Sequence, residues 1–145
     1  MTGTQPRLTA DNYRLSITGM VDQPAEFTLA DLNAMPQTEL VRDFQCVTGW
    51  RVPQVRWSGV ALPDLLDRAR PKPGVGGILF TSWDGTYTET LSTSQARRRD
   101  VLVATGMLDG AVTPAHGGPA RLYVASMYGY KSLKWLAGID LVNIN

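Results

Sequence analysis

Apolar and polar residues alternate from Tyr13 through Leu15 and Ile17 toward Gly19, the spacing of a half-buried strand over YRLSITGMV. DQPAEF then reads as a turn. Thr28 stands where a helix N-cap belongs, ahead of LADLNAM, and Phe27 and Leu32 occupy the two positions of a hydrophobic staple. ELVRDFQC reads as a second strand that delivers Cys46 at its end. In WSGVALPDLLDRARPKPG the opening residues read as a turn, and the period then changes. Leu62, Leu65, Leu66 and Ala69 fall at i, i+3, i+4 and i+7, a short amphipathic helix stopped by Pro71 and Pro73.

GGILFTSWDGTYTETL has the pattern of two strands joined through Asp84-Gly85, a hairpin dipeptide. STSQARRR reads as a short helix with basic residues at its C-terminal end, where the helix dipole favours cations. VLVATGMLDGAV predicts another hairpin, around Asp109-Gly110. LYVAS, a helical turn over KSLKW and a last strand AGIDLVNIN complete the chain. Short strands outnumber short helices, so the expected fold is α+β, built on a mixed or antiparallel β-sheet core with short helices.

With 145 residues, the chain is expected to form a single domain spanning 1–145, with 1–12 as a flexible N-terminal segment. Its 43% hydrophobic and 19% charged residues are those of an ordinary soluble globular protein. A net charge of +1 supplies no field for nucleic acid or an anionic membrane, so an anion site here has to be local. One cysteine allows no internal disulfide and no zinc site of paired Cys and His. Apolar runs such as VLVA fall far short of the ~20 residues of a membrane span. MTGTQPRLTADN has neither a charged nor an apolar leader region, so a cytoplasmic location is expected, or a periplasmic one if a leader has been trimmed.

Chemistry concentrates in two places. Cys46 follows a predicted strand and precedes the turn Val-Thr-Gly-Trp, with Arg51 five residues on. A lone cysteine is ordinarily a small buried hydrophobe. At a strand end beside positive charge, the thiolate is favoured, the form that attacks or binds metal. A cysteine protease would need a His base beside an orienting partner, and the single histidine, His116, lies among glycines in a basic segment.

That segment, HGGPARLYVASMYGYKSLKW, is the second place. Its glycines let backbone N–H groups approach a ligand, and Arg121 offers a planar fork to a phosphate. The alternative is a plain loop from which Arg121 snorkels. Lys131 and Lys134 share one side of the KSLKW turn at i, i+3, either as a solvated face or, with helix N-terminal N–H groups, as an anion site. The run Arg97 to Arg99 reads as a solvated face or a partner contact.

In their order and spacing, CVTGW at Cys46, WSGVALPDLL from Trp57, SWDGTY after GILF, HGGPARL at His116 and YGYKSLKWL from Tyr128 resemble the molybdopterin-binding domain of the sulfite oxidase family. That family includes bacterial sulfite dehydrogenases and the catalytic subunit of a periplasmic methionine sulfoxide reductase. The resemblance runs from Tyr13 to the last strand. It implies a cofactor of molybdenum with molybdopterin, with Cys46 as the sole protein ligand to the metal, a role that suits a soft thiolate. It also implies pterin and phosphate contacts from His116, Arg121 and the turn Lys131, Ser132, Leu133, Lys134, looser contacts from Thr81 or Ser82, and Arg51 near the substrate oxyanion.

The implied activity is two-electron oxo transfer to or from a small sulfite-like or sulfoxide-like substrate. Electrons would pass through a separate haem or flavin partner. Sulfite oxidases continue into a tail with an active-site tyrosine and a dimerisation domain, whereas this sequence stops at Asn145, so a shallow, open pocket is expected. The competing readings are a non-catalytic molybdopterin-binding module, or incomplete subunit, and a general anion- or nucleotide-binding domain. Against the last stands the lack of any P-loop or G-x-G-x-x-G pattern.

Overall fold

The computed structural model describes residue 9 and residues 11–45, 51–107, 110–112, 118–124 and 133–143, with the side chains of 42–45, 51–54 and 111 excepted. Two sheets form the frame. The first is mixed, with strand order β2-β1-β10-β5-β6: β1 (Arg14–Gly19), β2 (Ala25–Thr28), β5 (Gly77–Ser82), β6 (Thr88–Ser92) and β10 (Leu136–Val142). The last strand of the chain lies at its centre, parallel to β1 from Ser16↔Gly138 to Gly19↔Leu141 and antiparallel to β5. Leu15 and Ile17 point into the core as their alternation requires, and the buried Tyr13 hydroxyl donates to the Leu136 carbonyl. Burial also drives that phenol's pKa far above its usual value.

The second sheet is antiparallel, in the order β3-β4-β7-β8, with β9 also paired to β7. Its strands are β3 (Thr38–Gln45), β4 (Arg51–Ala61), β7 (Val101–Met107), β8 (Gly110–Ala111) and β9 (Arg121–Val124). Val101, Val103, Leu122 and Val124 face the main core, shared with the first sheet and the helices. Leu102, Ala104 and Tyr123, of opposite parity, pack with Val55, Trp57, Ala61 and Val112 into a second, smaller cluster. Residues 101–104 and 121–124 are therefore buried on both faces, which is why VLVA and RLYV contain unbroken apolar runs rather than alternating.

Three short helices join these strands. α1 (Leu29–Ala34) starts at Thr28, whose hydroxyl accepts from the Asp31 N–H while Asp31 accepts from the Thr28 N–H, a reciprocal capping box. Phe27 and Leu32, the expected staple, are buried in the same core cluster. α2 (Leu62–Ala69) buries Leu62, Leu65, Leu66 and Ala69, the predicted stripe, and ends at Arg70 in the left-handed conformation. α3 (Thr93–Ala96) is capped by Ser92 and Gln95.

Two expectations need correction. DQPAEF is not wholly a turn: Ala25–Thr28 pairs with β1 as an edge strand. WSGV is not a turn either but the second half of β4, the longest strand described. Its Ser58 and Gly59 mark a register shift against β7, and a further shift against β3 falls between Val52 and Val55. Pro53 lies in that interval, where a residue lacking an N–H is tolerated. The run Arg97 to Arg99 is solvated but engaged. Arg97 reaches Asp67 at 2.9 Å, and Arg99 grips Asp64 of α2 with two bonds of 2.6 and 3.2 Å. Arg98 pairs with Asp100.

Candidate cofactor site

Arg121 opens β9 opposite Ala104 and is 2% exposed, although it carries a full charge. Its guanidinium carbon lies 5.3 Å from the centre of the Trp57 ring, and Trp57 stacks on Tyr123 with centroids 4.4 Å apart and planes 17° from parallel. Trp57 comes from β4 and the other two from β9, on opposite sides of β7, so the side chains meet across about two strand spacings, ~10 Å. Between the two strands, Ala104 of β7 pairs with Gly59 on one side and Arg121 on the other.

Burial pushes the Arg121 guanidinium down to about 10, an effect the nearby Tyr123 phenol opposes. The group therefore stays cationic at neutral pH. A cation withdrawn from water in this way holds an anion more strongly than an exposed one does.

The chain on either side of Arg121 is tied to the second half of the motif segment. Leu122 donates to the Leu133 carbonyl at 2.8 Å, and Leu136 donates to the Ala120 carbonyl at 3.0 Å. Trp83, just past β5, donates to the Trp135 carbonyl at 2.7 Å. Residues 133–136 thus form a strap from β9 in one sheet to the end of β5 in the other. Trp135 takes a φ of 53°, a conformation a bulky aromatic adopts only where its surroundings hold it. Lys134 lies against it, with Nζ 5.8 Å from the ring centre.

The strap brings several expected site residues into one region: Arg121, Leu133, Lys134, and Thr81 and Ser82 at the end of β5. Leu133 is buried, and its carbonyl is used in the strap. Thr81 is half-buried. The Ser82 hydroxyl is already engaged, donating to Asp84 at 2.8 Å and accepting from the Tyr87 N–H at 3.0 Å. Gly118, Pro119 and Ala120 lead into β9 through a cis Gly118–Pro119 bond.

Cys46, His116, Lys131 and Ser132 lie outside the described residues. β3 ends at Gln45, the residue before Cys46, and Gln45 pairs with Arg51, whose backbone begins β4. Among the described residues no group of three or more His, Cys, Asp or Glu side chains gathers to hold a metal, and no helix is long and apolar enough to cross a membrane. Trp57 and Tyr123 pack beside Arg121 at the candidate site, though the sequence suggested no role for either. The available signal was the Arg-x-Tyr spacing in a strand, which puts both side chains on one face.

A buried arginine beside a strap that carries a lysine, on a doubly covered sheet, is what a phosphorylated ligand would require. The model of the oxidoreductase molybdopterin binding domain matches residues 2–144. The chain belongs to that family. It is 32% identical over 133 residues to the uncharacterized oxidoreductase YuiH of Bacillus subtilis (strain 168), covering 92% of this chain and 67% of that protein. It is 29% identical over 145 residues to the protein-methionine-sulfoxide reductase catalytic subunit MsrP of Campylobacter jejuni, covering 89% of this chain and 48% of MsrP. The crystal structure of the sulfane dehydrogenase SoxCD from Paracoccus pantotrophus superposes with a TM-score of 0.88 at 25% identity, over 96% of this chain and 40% of the SoxCD chain. The chain thus spans about half the length of MsrP and less than half of the SoxCD chain. The family assignment and the mostly β, two-sheet fold agree with the expected resemblance, and the family's molybdopterin-binding character implies a molybdenum–pterin cofactor.

Proposed function

We propose that the chain binds molybdenum as its molybdopterin complex and catalyses two-electron oxo transfer to or from a small sulfite-like or sulfoxide-like substrate. The observation that carries this reading is the buried cationic Arg121, set on a sheet face walled by Trp57 and Tyr123, in a chain of this family. A guanidinium presents a planar fork of donors that matches a phosphate, and burial strengthens each of those bonds. The donor set therefore fits a phosphorylated pterin.

When bound, the cofactor supplies two-electron redox chemistry at its metal. Holding and orienting it falls to the chain. Arg121, Lys134 and Lys131 neutralise the phosphate, Ser132 and His116 hydrogen-bond the pterin, and Leu133 and Thr81 shape its seat. Ser82, with its hydroxyl committed to the turn, acts by fixing that seat. The Cys46 thiolate is the soft ligand for the metal, and Arg51 offsets the charge of an anionic substrate. In the oxidising direction, sulfite and water give sulfate, two protons and two electrons. Those electrons leave singly through a separate haem or flavin partner. MsrP's name supports a sulfoxide as acceptor, and that of SoxCD a reduced sulfur compound as donor.

The test is turnover by chain produced in a molybdate-supplied host, with sulfite and a one-electron acceptor, then with a small sulfoxide and a reduced dye. Activity in one direction that vanishes in Cys46→Ala, with an unchanged circular dichroism spectrum, is the expected result. An active Cys46→Ala protein contradicts the assignment. Bound pterin without turnover in either direction supports the binding-module reading instead.

A further inference from the structure

We infer that Trp57 is a positioning residue for the cofactor, its indole face fixing the Arg121 guanidinium that grips the pterin phosphate; the inference rests on the function proposed above. Trp57 is fully buried, yet it belongs to the smaller cluster on the Arg121 face of the second sheet and not to the main core. Arg121 and Tyr123 are two residues apart on β9, so both project to that face. The indole spans them, stacked on the phenol at 4.4 Å and beneath the guanidinium at 5.3 Å.

A guanidinium carries all its N–H donors in its plane and none on its faces. The contact of the guanidinium carbon with the indole is a cation–π attraction that uses none of those donors. It also restrains where the side chain lies, so that less rotamer freedom remains to be lost when a ligand binds. Tyr123 braces the indole from the strand that carries Arg121. The three side chains form one unit in which only Arg121 touches the ligand.

The experiment measures the rate at which loaded protein loses pterin after dilution, followed by the fluorescence of the released, oxidised pterin. Trp57→Leu and Trp57→Phe are each made in the native chain and in Arg121→Gln. In the native background Trp57→Leu should speed release about tenfold, with Phe intermediate, as expected for loss of a desolvated cation–π contact. In Arg121→Gln the same change should alter the rate by less than about twofold, since the residue it acts through is gone. Equal acceleration in both backgrounds means that Trp57 acts by packing alone and overturns the inference, as does an unchanged rate in the native one.

Because Trp57→Leu also removes a buried side chain and can fail to fold, fluorinated tryptophans are placed at position 57 as well. They weaken the ring's hold on a cation at nearly constant volume. Release that quickens with each added fluorine supports the inference, and release indifferent to fluorination overturns it. A native chain that takes up no pterin at all rejects the cofactor reading itself and the inference with it, an outcome distinct from normal uptake with no dependence on Trp57.

Discussion

A Cβ added at Gly59 would fall against the Val103 carbonyl oxygen and 2.7 Å from the Ala104 Cα, both backbone atoms of the neighbouring strand with no freedom to swing aside. The same addition at Gly106 meets first the Ser58 hydroxyl, the end of a side chain that can rotate. Gly59→Ala should therefore lower stability by about 1–3 kcal/mol, the usual cost of overpacking, and Gly106→Ala clearly less. Denaturant titration of the two variants checks this, and equal losses would contradict it. Gly59 is thus a point where β4 and β7 approach closely, paired with Ala104, the residue that also pairs with Arg121. The sequence offered Arg121 as a phosphate ligand from its residue type alone. It could not offer Trp57, because an indole in WSGV meets the guanidinium only after β4 and β9 are laid on either side of β7. The engagement of the Ser82 hydroxyl was equally hidden, since it depends on the shape of the turn through Asp84 and Tyr87.

Among the elements, those with a local cause were legible and those whose cause is distant were not. The N-cap of α1 and the stripe of α2 are set by residues within a turn or two of one another, and both are present. β2 and β4 were missed because Pro24, Pro53, Ser58 and Gly59 punctuate them like turns, and only pairing with other strands overrides that signal. The basic run after α3 was ambiguous for the same reason, since the acidic partners of Arg97 and Arg99 lie 30 and 35 residues away. Asp64 is held below the usual carboxylate range, first by its hydrogen bonds from Arg99, against a smaller opposing effect of burial. A carboxylate with a lowered folded pKa adds stability that is present above its unfolded value, about 3.9, and is lost as pH falls through the lower folded value. Asp64→Asn should thus flatten the acid limb of the stability profile below about pH 4, leaving the share due to Asp31 and Asp84, which are also lowered. Thermal melts across that range check it. An acid limb unchanged by the substitution would contradict the coupling of α3 to α2 through Arg99. The effect is modest, because both partners are partly exposed, at 63% and 32%, and screened by solvent.

At the scale of the whole molecule, the strap of residues 133–136 links the two sheets and delivers the end of β5, the start of β9 and Lys134 to one region. The fold class follows from composition and period, and the two-sheet arrangement follows only from the long-range pairing of β1 with β10 and β4 with β7. We propose that this region, with Cys46, holds a molybdenum–pterin cofactor. The most direct test is the molybdenum content of protein from a molybdate-supplied host, measured with released pterin, for the native chain and Cys46→Ser. Close to one metal and one pterin per native chain are expected, with the metal lost in Cys46→Ser while pterin persists on Arg121 and the strap. A native chain that carries neither, from a host that loads related enzymes, would contradict the proposal.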